Sequence, residues 1–118
     1  MIRAAAASGL LLLSLAACGG DGRGLQRPDY AAEATALCDE AEAAGDPHRA
    51  LALYGLATDA DPKMSRAYLG RARILESSGR TLEAERAFAM AVDMAPDDVR
   101  PRYLLARAQY HRRQGRLD

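Results

Sequence analysis

Cys18 is the residue whose neighbours give its side chain the most specific setting. It closes the stretch Leu15-Ala16-Ala17-Cys18, at the end of an apolar run that begins at Ala4 and contains Leu10-Leu11-Leu12-Leu13. Arg3 supplies a positive flank, and two small residues stand before the cysteine. Together these features mark residues 1–17 as a secretory signal peptide, removed on maturation and too short to be a transmembrane helix. The other reactive side chains have no comparable setting. His48 follows a proline at a helix start and His111 sits among arginines. They are far apart and neither has a cysteine or carboxylate at ligand spacing, so no metal site is expected. Ser65, Ser77 and Ser78 lack an elbow motif or a nearby base, and nucleophilic catalysis is not supported. No glycine-rich loop cradles phosphate, because the glycines fall in a tether, at helix ends or, for Gly70, in helix packing. The chain therefore reads as non-enzymatic and without a cofactor.

The cysteine directly after the small pair resembles the lipobox of bacterial lipoproteins. That resemblance implies a diacylglycerol thioether on Cys18 and cleavage before it, so that the mature chain runs from Cys18 to Asp118 and is anchored to a membrane by its lipid. Cys38 is then left without a partner in the chain. A lone thiol in an oxidising compartment is tolerated mainly when buried, and Cys38, at a small-residue position of a helix, reads as a packed thiol. Residues 18–28 form a flexible tether, interrupted by Gly19, Gly20, Gly22 and Gly24 and closed by Pro28. A glycine-rich coil of that length has an end-to-end distance of roughly 17 Å, which keeps the folded part close to the membrane. In lipoprotein families an Asp immediately after the cysteine tends to retain the protein at the inner membrane. Gly19 in that place implies the outer membrane, facing the periplasm.

About 100 residues remain after the signal, enough for one small domain. Trp is absent, Phe88 is the single Phe, and valine is confined to Val92 and Val99. Poverty in β-branched and aromatic residues argues against a sheet, and richness in Ala, Leu, Glu and Arg argues for helices. The formal net charge of +0 predicts neither nucleic acid nor an acidic membrane surface as partner. Charge is nevertheless segregated. From Asp29 to Asp61 there are eight acidic residues against Arg49 alone, and from Arg100 to Arg116 six arginines and no acid.

The elements that must position these groups repeat. Gly45, Ala50, Tyr54, Ala57 and Pro62 recur as Gly79, Ala84, Phe88, Ala91 and Pro96, each shifted by 34. Tyr68-Leu69-Gly70-Arg71-Ala72 recurs as Leu104-Leu105-Ala106-Arg107-Ala108, shifted by 36. Such a period means a solenoid of helical hairpins, none of which buries its apolar face alone. Gly45 and Gly79 are expected to end helices in a left-handed conformation. Asp46-Pro47 and Thr81 are expected to start the second helices, and Asp97-Asp98 to open the last one. Ala50 and Ala84 are small where antiparallel helices approach, and Tyr54 and Phe88, one turn on, fill the space beside them. The pattern gives an all-α fold with five helices, near 30–44, 47–60, 64–78, 81–94 and 98–114.

This arrangement resembles the tetratricopeptide repeat, with one unit over residues 31–64, a second over 65–98, and a C-terminal capping helix, all within a domain of residues 29–118. Arg71 departs from the pattern, standing where the family has a large apolar residue. The resemblance implies that the first helices of successive repeats line a concave groove for a protein or peptide partner. Its residues would be Thr35, Asp39 and Glu42 from the first unit, Arg66, Leu69, Arg73 and Glu76 from the second, and Arg102, Leu105, Gln109 and Arg112 from the third. Such a groove would grade from acidic to basic, with Leu69 and Leu105 in its floor, matching a peptide with one basic and one acidic end.

Small lipoproteins of this kind resemble assembly factors of envelope machines, particularly those of Flp/tight-adherence and type IV pili. The leading expectation is thus a membrane-anchored, non-catalytic adaptor in the cell envelope. The alternatives are an envelope chaperone or regulator of cell-wall enzymes, and a lipoprotein that self-associates by stacking one array on another.

Overall fold

Successive short connections fold the chain into a row of antiparallel helices. The computed structural model describes residues 29–115. The signal peptide 1–17, Cys18 with its tether 18–28, and Arg116 lie outside the described residues. The helices are α1 (Tyr30–Ala43), α2 (Pro47–Ala60), α3 (Ser65–Ser77), α4 (Thr81–Met94) and α5 (Arg100–Arg113). No strand occurs among the described residues. The fold is an all-α solenoid of two hairpins, α1–α2 and α3–α4, with α5 packed on the second.

The helix starts follow the sequence in part. Asp29 caps α1 by accepting from the Ala32 amide at 3.0 Å. Asp46 caps α2 by accepting from the His48 amide at 3.1 Å, with Pro47 in the first turn. Thr81 does not cap α4. It is the first helical residue, and Arg80 before it makes no side-chain cap bond but pairs with Glu83 at 2.6 Å. Nor do Asp97 and Asp98 cap α5, whose N-cap is Val99; Asp97 instead pairs with Arg100 at 2.7 Å. Gly79 is left-handed as expected, at φ +76°, whereas Gly45 is not. There α1 ends on an extended Ala44, whose amide reaches the Ala41 carbonyl at 3.2 Å. An extended exit leads straight into the Asp46 cap and removes the need for a left-handed residue.

Packing is dominated by small residues. Ala34, Cys38, Ala41, Ala50 and Ala57 meet Leu53, Tyr54 and, from α3, Ala67 in a first core. Ala72, Leu75, Ala84, Ala87 and Phe88 meet Tyr110 from α5 in a second. Each hairpin is therefore closed by the first helix of the next unit, and α5 does this for the second hairpin as a capping helix. Its Tyr110 stacks on Phe88 with ring centroids 4.6 Å apart and donates its hydroxyl to the Thr81 carbonyl at 2.9 Å. No described residue covers the outer side of α5, with Leu104 48% and Leu105 58% exposed. Arg71 and its repeat mate Arg107 are half-buried, and the Nε of each is shielded without a hydrogen-bond partner among the described residues.

Gly70 is where α3 comes closest to α2. A Cβ there would stand 2.2 Å from Cζ of Tyr54, so the tyrosine ring lies flat on the glycine backbone. Gly55, inside α2, has nothing within 4 Å of its own Cβ position. Gly70→Ala is therefore expected to destabilise the domain by about 1–3 kcal/mol through overpacking. Gly55→Ala is expected to stabilise it by about 0.5–1 kcal/mol through helix propensity. Urea unfolding of the two variants checks both signs, and a neutral Gly70→Ala would contradict the close approach.

Candidate functional site

Two sets of ion pairs tie the first helices of the units together and so define one face of the molecule, formed by α1, α3 and α5. Asp39 and Glu42, three residues apart on α1, project on the same side. Arg66, in the first turn of α3, reaches back to both: its Nη2 donates to Asp39 Oδ1 at 2.6 Å and its Nε to Glu42 Oε1 at 3.0 Å. On the other side of α3, Glu76 receives both arms of Arg113 from α5, at 2.7 Å and 2.8 Å. Two-armed guanidinium–carboxylate pairs are the geometrically specific kind. Arg113 holds the Glu76 carboxyl below its ordinary value of 4.5.

These pairs change the expected electrostatics of the groove. Asp39, Glu42, Arg66 and Glu76 are engaged with other parts of the chain, and Arg66 offsets one of the two carboxylate charges at the acidic end. Thr35 is exposed and donates its hydroxyl to the Ala31 carbonyl of its own helix at 2.8 Å. Arg73, Arg102 and Arg112 are exposed and form no ion pair among the described residues. The groups of this face without an ion pair among the described residues are thus cationic, while the α1 end keeps one net negative charge. Leu69 is half-buried and packs against the second core, while Leu105 and Gln109 are exposed on α5. Arg113 was not among the residues expected from the sequence. The repeat offset of 36 sets Arg112 level with Glu76, and only the rotation of α5 about its axis brings the next arginine into reach.

Beside the Arg66 pairs lies a cavity of about 620 Å³, between the α1–α2 turn and α3. Its walls include Ala41, Pro47, Tyr54, Leu69 and Ile74, with Arg73 among the polar lining groups. That volume is in the range of ordinary ligand pockets. Tyr54 is only 5% exposed, and its hydroxyl makes no hydrogen bond among the described residues. Burial, the largest influence, raises the pKa of this phenol. Cys38 lies fully buried in the first core and has no disulfide partner among the described residues. Burial also pushes its thiol up, which keeps it protonated and a poor nucleophile.

His48 is exposed, and His111 stacks beside Tyr110 at 5.4 Å. No group of three or more His, Cys, Asp or Glu is placed to hold a metal among the described residues. Nor is any described helix long and apolar enough to cross a membrane.

The Glu76–Arg113 pair makes a pH-dependent contribution whose sign follows from the lowered carboxyl. A folded-state pKa below the unfolded value means stability that is present above the ordinary carboxylate range and lost as pH falls through the folded value. Arg113 is half exposed, so the contribution is screened and worth about 1 kcal/mol or less. Glu76→Gln is expected to lose that amount at neutral pH. Its deficit against the parent should close as the pH of the urea titration is lowered below the ordinary carboxylate range.

No curated protein and no solved structure matches the chain. The model of the tetratricopeptide repeat family matches residues 41–110, from the last turn of α1 through Tyr110 of α5. That match spans more than half of the sequence and takes in both repeat junctions. The chain belongs to the tetratricopeptide repeat family.

Proposed function

We propose that this protein is a membrane-anchored, non-catalytic adaptor of the bacterial cell envelope, holding a partner protein against the face formed by α1, α3 and α5. Tetratricopeptide repeats are in general modules for protein–protein interaction. The observation that carries the reading here is the combination on that face of an open cavity with arginines that form no ion pair among the described residues. A scaffold with spare cationic groups around an apolar recess suits a partner with acidic and apolar groups in proximity.

Anchoring rests on Leu15-Ala16-Ala17-Cys18 and its resemblance to a lipobox, and the outer-membrane placement on Gly19. Service in pilus or secretion-system assembly is the narrower form of the proposal, carried by likeness to small repeat lipoproteins of such machines. Regulation of cell-wall enzymes through the same face is the alternative within the adaptor class. A second reading, self-association, is favoured by the exposed Leu104 and Leu105 on the uncovered side of α5.

Crosslinking in the native envelope, affinity purification and mass spectrometry separate these readings. The paired charge reversal Arg73→Glu with Arg112→Glu is expected to remove the co-purified partner while helical content stays unchanged. Persistence of the partner would count against the face, and recovery of the protein alone would favour self-association. Cys18→Ser is expected to abolish incorporation of labelled fatty acid and to release the protein from the membrane fraction. Unchanged labelling would refute the anchor.

A further inference from the structure

The two junctions of the solenoid are built to one plan but are not filled alike. α3 closes α1–α2 as α5 closes α3–α4, with residues corresponding at an offset of 34 along the hairpins and 36 along the closing helices. Pro47 thus corresponds to Thr81, Ala50 to Ala84, Tyr54 to Phe88, and Ile74 to Tyr110. In the second junction Tyr110 is fully buried, stacks on Phe88 at 4.6 Å and donates its hydroxyl to the Thr81 carbonyl at 2.9 Å. In the first, the closing helix offers the smaller Ile74, which is half-buried. The wall is recessed as well, because Ala41 stands where the second unit has Leu75. The 620 Å³ cavity lies among these same residues, and Pro47, Ala50, Tyr54 and Ile74 all line it.

Two further features distinguish this space from slack packing. Tyr54 is nineteen-twentieths buried, and the hydroxyl-bearing end of its ring lies against the Gly70 backbone, in the wall of the cavity. That hydroxyl has no hydrogen-bond partner among the described residues, whereas Tyr110, its neighbour in kind at the other junction, has one. Arg73, also in the lining, is exposed and without an ion-pair partner among the described residues.

We propose that this cavity receives an aromatic side chain, a tyrosine, presented by the partner protein next to an acidic group. The guest ring lies on Tyr54 as Tyr110 lies on Phe88, its hydroxyl donates to the Pro47 carbonyl as Tyr110 does to Thr81, and Arg73 pairs with the adjacent carboxylate. The proposal rests on the adaptor reading of the same face and names the chemistry of its partner.

The test uses the full-length lipoprotein in phospholipid nanodiscs, with 4-hydroxyphenylacetate as a probe that carries a phenol and a carboxylate. Methyl NMR should show saturable shifts at Ile74 and Ala41 and none at Ala84 of the second junction. Arg73→Gln should weaken this probe several-fold and leave the uncharged p-cresol unaffected. Ile74→Tyr fills the cavity from within, so it should abolish probe binding and raise Tm by at least about 4 °C. Where that variant does not fold, Ala41→Leu takes its place and should likewise abolish binding. Absence of probe shifts, equal shifts at both junctions, or a lowered Tm in a folded Ile74→Tyr would each overturn the proposal. In the envelope crosslinking experiment, loss of the partner from Ile74→Tyr supports the pocket. Retention there, with loss from the Arg73/Arg112 reversal, overturns the pocket alone and leaves the adaptor reading standing.

Discussion

Close approach of helices is the constraint on which this structure depends. A hairpin of two helices of about four turns each has little apolar surface of its own, and it gains enough only if the next helix comes near to its backbone. Alanine, glycine and one cysteine occupy the crossing points for that reason: Ala34, Cys38, Ala50 and Ala57 in the first unit, Ala72, Ala84 and Ala91 in the second. Alanines bury little area each, so the larger share of apolar burial at every junction comes from one or two big side chains laid over them. Tyr54 does this above Gly70, and Phe88 with Tyr110 does it beneath α5. The spacing of small and aromatic residues is therefore the fold written in one dimension.

Electrostatics acts on a different scale. Acidic residues crowd the first hairpin and arginines the last helix, yet the structure spends the contrast locally, across neighbouring helices. Arg66 engages Asp39 and Glu42, and Arg113 engages Glu76. These pairs link helices that have limited apolar contact with each other, and they fix how α1, α3 and α5 are set side by side. Once they are made, Arg73, Arg102 and Arg112 are left without an ion pair among the described residues, and one net negative charge stays at the α1 end. A partner meets a different surface from the one suggested by counting charges along the chain.

What the sequence revealed was the part carried by repetition. The offset of 34 located the helices, the paired alanines and aromatics, and Gly79 as a left-handed terminus, because each rests on residue type at a fixed place. Gly70 was legible as a packing residue for the same reason. Gly45 and Thr81 misled, since a helix end depends on how the chain leaves as well as on which residue stands there. The ion pairs were not legible: the partners lie 24 to 37 residues apart, and the rotation of α5 decided between Arg112 and Arg113. The cavity at the first junction was hidden too. Its signal, Ile74 and Ala41 where the second junction has Tyr110 and Leu75, has meaning only after the two junctions are superposed.

The uncovered flank of α5 carries a consequence for how the molecule opens. In a row of units that touch only their neighbours, loosening starts at an end and proceeds inward. Among the described residues α5 has a neighbour on one side alone, held by the Tyr110 ring, its hydroxyl bond to Thr81 and the Glu76–Arg113 pair. Undocking of this single helix would bare the Phe88 ring and the Thr81 carbonyl together. The second junction would then open a recess beside an aromatic ring as the first does, so that undocking of α5 and the number of open recesses are two views of one equilibrium.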